Sequence, residues 1–167
     1  VTLFHQFAQL SGANLSGTDE ESILEICQLV SGHPLAIELA ADLTPFQSCQ
    51  QIASQLESRI ETLNSRNIDQ TDRQKSISAV FEASWDASTP IEQNVLAKLS
   101  WFQGTFSLEA ASAIAEATPV IMGRLGQKSL VNFQDGRYQL HPLLCQFLQL
   151  KLNDDGQLAR KASTYFL

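Results

Sequence analysis

The sequence predicts a mainly α fold, a small helical bundle followed by a winged-helix domain with one β-hairpin. Three observations carry this reading. Apolar residues recur at helical spacing through most of residues 1–129; the period changes to strand alternation on both sides of Asp135-Gly136; and residues 64–73 hold one apolar residue in ten. The resulting division is a helical domain over 1–63, a linker over 64–73, a winged helix over 74–152 and the start of a further helical region over 153–167.

The elements follow in order. Leu3, Phe7 and Leu10 predict a helix over Thr2 to Leu10 with Ser11-Gly12 as its stop. Thr18 and Glu21 have capping-box spacing, and Ile23, Ile26, Cys27 and Val30 predict the buried stripe of the next helix. Gly32 ends that helix and Pro34 opens a third, Leu35 to Asp42, which is apolar on most sides and therefore central. A more polar helix runs over Ser48 to Leu63 through Ile52, Leu56, Ile60 and Leu63.

After the linker, Ile77, Val80, Phe81, Ser84 and Trp85 again have a helical period. Ser88-Thr89-Pro90 supplies a cap and a first-turn proline for a helix whose stripe is Ile91, Val95, Leu96 and Leu99. Gly104 marks Phe102 to Phe106 as a loop, Ser107 caps Leu108 to Ala117, and Thr118-Pro119 opens a helix to about Ser129. Leu130 to Gln134 and Arg137 to His141 then flank Asp135-Gly136, the signal for a type I′ turn. Pro142 to Leu152 forms the last complete helix, and Gln157 to Leu167 begins another.

Composition bounds the function. The chain is 44% hydrophobic and 17% charged, enough to bury a core, and no apolar run reaches the roughly 18 residues that cross a bilayer. Cys27, Cys49 and Cys145 are odd in number, widely spaced and set among apolar neighbours, as expected of reduced thiols in a cytoplasmic protein. The start at Val1 and the single Met122 suggest a section of a longer protein. Residues 1–73 carry ten acidic and three basic residues, whereas 74–152 carry six of each. No clustered basic face is present to grip a phosphate backbone, so DNA binding is disfavoured.

Catalytic signatures are missing as well. There is no Gly-x-x-x-x-Gly-Lys-Ser/Thr loop, no strand ending in an acidic pair for magnesium, no nucleophile elbow and no metal-ligand spacing, so the chain is expected not to be an enzyme by itself. Two features remain. Gly32-His33-Pro34-Leu35-Ala36 is a helix stop followed at once by a helix start, a corner that either joins two helices or presses main chain against a flat ligand. His141 stands where hairpin meets helix, either as a half-buried histidine closing a strand or as a donor to a phosphate oxygen.

Together these two features resemble the region that follows the nucleotide-binding domain in signal-transduction ATPases with numerous domains, the STAND class of NB-ARC and AP-ATPase relatives. Gly32, Pro34 and Leu35 match its Gly-x-Pro motif, and Tyr138, Leu140 and His141 match its apolar-x-apolar-His segment. Residues 76–85 and 96–102 are similar to helices of bacterial members, whereas His33, Pro142 and Cys145 depart from residues common elsewhere in the family. The resemblance implies a regulatory module that closes over ADP and opens on exchange for ATP. Gly32, Pro34, Leu35 and His141 would touch a nucleotide held only in the full-length protein. Its partners would be an upstream nucleotide-binding domain and a downstream repeat domain. The alternatives are a winged-helix DNA-binding transcription regulator, with Arg124, Lys128 and Arg137 as its phosphate contacts, and a protein-interaction scaffold.

Overall fold

A computed structural model of the chain describes residues 1–66 and 71–151, without the side chains of 64–66, Arg73 and Leu150. The predicted helix over 157–167 lies outside these residues. The architecture is mainly α, with a small antiparallel sheet late in the chain. Two compact units meet in sequence between Ala87 and Ser88.

The first unit holds α1 (Thr2–Leu10), a 3₁₀ turn (Gly17–Asp19), α2 (Glu20–Leu29), α3 (Pro34–Ala41), α4 (Cys49–Arg66) and α5 (Asp72–Asp86). Helix α1 packs on α3, α2 on α4, and α5 on both α3 and α4. The stretch assigned to a linker is shorter than its composition implies. Helix α4 continues to Arg66, and α5 starts at Asp72 behind a capping box in which Thr71 Oγ1 accepts from the Gln74 N–H and Gln74 Oε1 accepts from the Thr71 N–H. Helix α5, placed by sequence at the head of the winged helix, thus packs with the first unit.

Burial corrects two of the expected stripes. Helix α1 turns Phe4 and Ala8 into the core, while Leu3 and Phe7 are half-buried and Leu10 is 82% exposed. Helix α6 (Pro90–Leu99) buries Val95, Leu96 and Leu99 but exposes Ile91. The box ahead of α2 is also shifted by two residues. Ser16 and Asp19 form it, with Asp19 Oδ2 accepting from the Ser16 N–H at 2.8 Å, because a 3₁₀ turn precedes the helix. This N–H and the Ser16 hydroxyl, 2.7 Å from the same oxygen, hold the Asp19 carboxyl below its ordinary value.

The second unit is a winged helix. After α6 come β1 (Thr105–Phe106), α7 (Leu108–Ala115), α8 (Pro119–Gln127), β2 (Asn132–Gln134), β3 (Arg137–Gln139) and α9 (Pro142–Lys151). Strand β1 occupies part of the predicted loop. It is two residues long, too short to show alternation, and exists through its antiparallel pairing with β3, Thr105 opposite Gln139 and Phe106 opposite Tyr138. The hairpin is as the sequence predicts, with positive φ at both Asp135 and Gly136.

Helices α7 and α8 are joined by Glu116, Ala117 and Thr118. Glu116 is left-handed at φ 59°, Ala117 is fully buried, and Thr118 caps α8 through the Ile121 N–H. On one face of the sheet an aromatic row runs from Phe102 over Phe106 and Tyr138 to Phe133, with successive ring centroids 4.6, 6.2 and 4.7 Å apart.

A buried carboxylate ties this unit together. Glu92 is 2% exposed, and its Oε2 accepts from the Thr89 N–H and from Lys128 Nζ, each at 2.8 Å. Burial alone would push its pKa up, but the Lys128 bond and charge, with the Thr89 donors, outweigh it and hold the carboxyl below its ordinary value. Stability from this group is therefore present above the usual carboxylate range and is lost as pH falls through the lowered folded-state pKa. Lys128→Met should destabilise the protein by about 2–3 kcal/mol in urea melts, because a buried charge loses its partner. Glu92→Gln in that background should recover most of the loss, since Gln keeps the capping box without the charge. The double variant should also lose the acid sensitivity assigned to Glu92.

Candidate functional site

The corner between α2 and α3 is built by two left-handed residues, Ser31 at φ 53° and Gly32 at φ 65°. The Ser31 N–H donates to the Gln28 carbonyl and the Gly32 N–H to the Cys27 carbonyl, both at 2.9 Å. This is a Schellman ending in which serine, and not glycine, occupies the position that most favours glycine. His33 is extended, as a residue before proline must be, and Pro34 begins α3 with its missing N–H at no cost. Gly32 and Pro34 are exposed and Leu35 is half-buried, while Ala36, Ile37, Leu39 and Ala40 enter the core. The corner therefore presents main chain at the surface of its unit.

His141 lies in the second unit between β3 and α9. It is exposed, whereas the bland alternative required a half-buried ring bonded to a carbonyl. Its Nδ1 accepts from the Leu143 N–H at 3.2 Å, and its own carbonyl accepts from the Cys145 N–H at 3.0 Å. His141 is thus the side-chain cap of α9. Accepting at Nδ1 requires that nitrogen to be unprotonated, so the neutral ring carries its proton on Nε2. Leu140 before it is buried and Tyr138 half-buried, which fixes the strand end that carries the imidazole.

The bases nominated for DNA contact divide sharply. Lys128 is paired with Glu92. Arg137 is turned across the sheet, with Nε donating to Thr105 Oγ1 at 2.9 Å and Nη2 to the Thr105 carbonyl at 3.0 Å. Arg124 is exposed on α8, beside Val120, Gly123 and Gln127, and Arg137 is exposed as well, although two of its donors are taken by Thr105. The Glu92 partner of Lys128 escaped sequence reasoning, although its signal was present. Glu92 stands three residues after the Thr89 cap, the spacing of a capping box, and so belongs at a helix start rather than in solvent.

The three thiols are free. Cys49 is buried at the start of α4, and burial, with the Asp19 charge, pushes its pKa up to about 11. Among the described residues no group of three His, Cys, Asp or Glu side chains could hold a metal ion. No described helix is long and apolar enough to cross a membrane.

No protein-family model matches the chain. Three curated relatives do, one from Mycobacterium bovis and two from strains of Mycobacterium tuberculosis, each provisionally named an HTH-type transcriptional regulator. Each is 29% identical over 157 residues, an alignment that takes in 87% of this chain but 18% of the relative. The chain therefore spans less than a fifth of the proteins it is similar to.

Two pairs of substitutions probe the corner and the cap. Ser31→Gly should stabilise the protein by about 0.5–1 kcal/mol by relieving a left-handed residue, and Gly32→Ala should cost about 1–2 kcal/mol although a Cβ there meets no atom within 4 Å. His141→Ala should cost about 1 kcal/mol and His141→Asn much less, since Asn restores an acceptor for the Leu143 N–H; thermal melts of the three proteins decide it.

Proposed function

We propose that this chain is a regulatory section of a larger transcriptional regulator, and that its winged helix works through protein contacts and not as the reader of DNA. The relatives' names support the first half. The observation that carries the second is the sparse charge of the helix in the reading position of a winged helix. With Lys128 on Glu92, α8 offers Arg124 alone. One arginine on that helix supplies one phosphate contact, whereas useful affinity at physiological salt draws on several. The reading face around it, Val120, Gly123 and Gln127, is almost free of charge.

The experiment is fluorescence anisotropy of the chain with duplex DNA at low and physiological salt. The proposal expects no saturable binding at micromolar protein. Salt-dependent binding that Arg124→Ala weakens would return the winged helix to the role of DNA reader.

A second reading has an observation of its own. The resemblance to nucleotide-switched ATPases assigns His141 to a phosphate, and an imidazole whose Nδ1 is an acceptor keeps Nε2 as a donor for such an oxygen. The corner at Gly32 and Pro34 likewise exposes main chain where an adenine contact is expected. One such charge-assisted bond contributes on the order of 1.5–3 kcal/mol, enough to move a two-state switch roughly tenfold to a hundredfold. In the full-length protein His141→Ala and His141→Asn should both speed ADP release, whereas only His141→Ala should lower stability. Unchanged ADP off-rates in both variants would remove the nucleotide role and leave the cap.

A further inference from the structure

The face of the sheet opposite the aromatic row is entirely polar. Register explains why: Thr105, Gln139 and Asn132 lie abreast across β1, β3 and β2, and Arg137 faces Gln134 one step nearer the turn. With Asp135 they line an open surface depression of about 280 Å³, and all six residues are exposed. Arg137 is held by its two bonds to Thr105, which leaves the other donors of its fork directed away from β1. Among the described residues, Asn132, Gln134, Asp135 and Gln139 make no side-chain hydrogen bond or ion pair, and Asp135 and Arg137 line one small cavity without pairing with each other.

That unpaired couple decides the ligand class. A phosphate or nucleic acid would meet the Asp135 carboxylate as well as the guanidinium, and a plain cation would meet Arg137. A ligand carrying both charges satisfies both groups at once, and amides that donate and accept suit a polar side chain.

We propose that this cavity is a binding site for a small zwitterion, a polar α-amino acid, with its carboxylate on Arg137, its ammonium on Asp135 and its side chain among Asn132, Gln134 and Gln139. Pre-organisation supports it. The guanidinium is already fixed by Thr105, so the arginine loses little side-chain entropy on binding. The site is independent of the regulator reading, because binding is measured directly and not through transcription or DNA.

The test is a titration of the whole chain followed by amide resonances, with L-glutamine, propionate and ethylammonium as probes. Glutamine should give saturable shifts at Thr105 and residues 132–139 with millimolar affinity, and the two singly charged probes should bind at least about tenfold more weakly. Asp135→Asn keeps a residue that tolerates the left-handed turn, so the hairpin should persist by its cross-strand contacts while glutamine affinity falls about tenfold. Thr105→Val, which frees the Arg137 fork, should weaken glutamine as well. The proposal is overturned by an absence of saturable shifts up to about 50 mM, by propionate binding as tightly as glutamine, or by unchanged glutamine affinity in Asp135→Asn.

Discussion

Glu92 is the group on which the winged helix depends. A carboxylate almost fully withdrawn from water is tolerable only if its oxygens are satisfied, and here one oxygen receives both the Thr89 N–H at the start of α6 and the Lys128 ammonium just after α8. The start of α6 and the end of α8 are joined through that atom. The same contact removes Lys128 from the surface. A solution to a folding problem thereby sets the electrostatics of the face on which a winged helix would otherwise meet DNA.

Arg137 is subject to a similar constraint. Strand β1 is only two residues long and contributes little ladder of its own, so the two guanidinium bonds to Thr105 supplement its pairing with β3. Lys128 is drawn inward by Glu92, and Arg137, although exposed, gives two of its donors to Thr105, so both cations serve the unit's internal structure. Charge counts alone pointed the same way, but for a weaker reason, since a few well-placed bases can suffice where a count is neutral. Pairing, not number, makes the difference.

Much of the fold was legible because it rests on local rules. Helices α3, α6, α8 and α9 begin at prolines, α5 and α7 at threonine and serine caps, α1 and α2 end at Ser-Gly turns, and the hairpin follows from a dipeptide that accepts positive φ twice. Errors arose where a pattern had two solutions. Leu3, Phe7 and Leu10 and the pair Phe4 and Ala8 are both helical stripes, and the α3 surface selected the second. Ser16 and Thr18 are both good caps, and the 3₁₀ turn selected Ser16. Ser31 carried no signal at all for a left-handed ending, because that position usually announces itself with glycine. Of the candidate site residues, the geometry at Gly32, Pro34 and Leu35 followed from the Gly-x-Pro spacing, whereas the capping role of His141 needed the position of the Leu143 N–H.

By itself the sequence determined the helical class, the hairpin, the corner at Gly32-His33-Pro34 and the lack of a phosphate loop, since each depends on backbone preferences or motifs within a few neighbouring residues. Only the tertiary structure decided that α5 packs with α3 and α4, that β1 exists, that Lys128 meets Glu92 across 36 positions and that Arg137 reaches Thr105 across 32. Those outcomes turn on contacts between distant segments, whose energies depend on which surfaces the packed helices bring together and on how deeply each charge is removed from water.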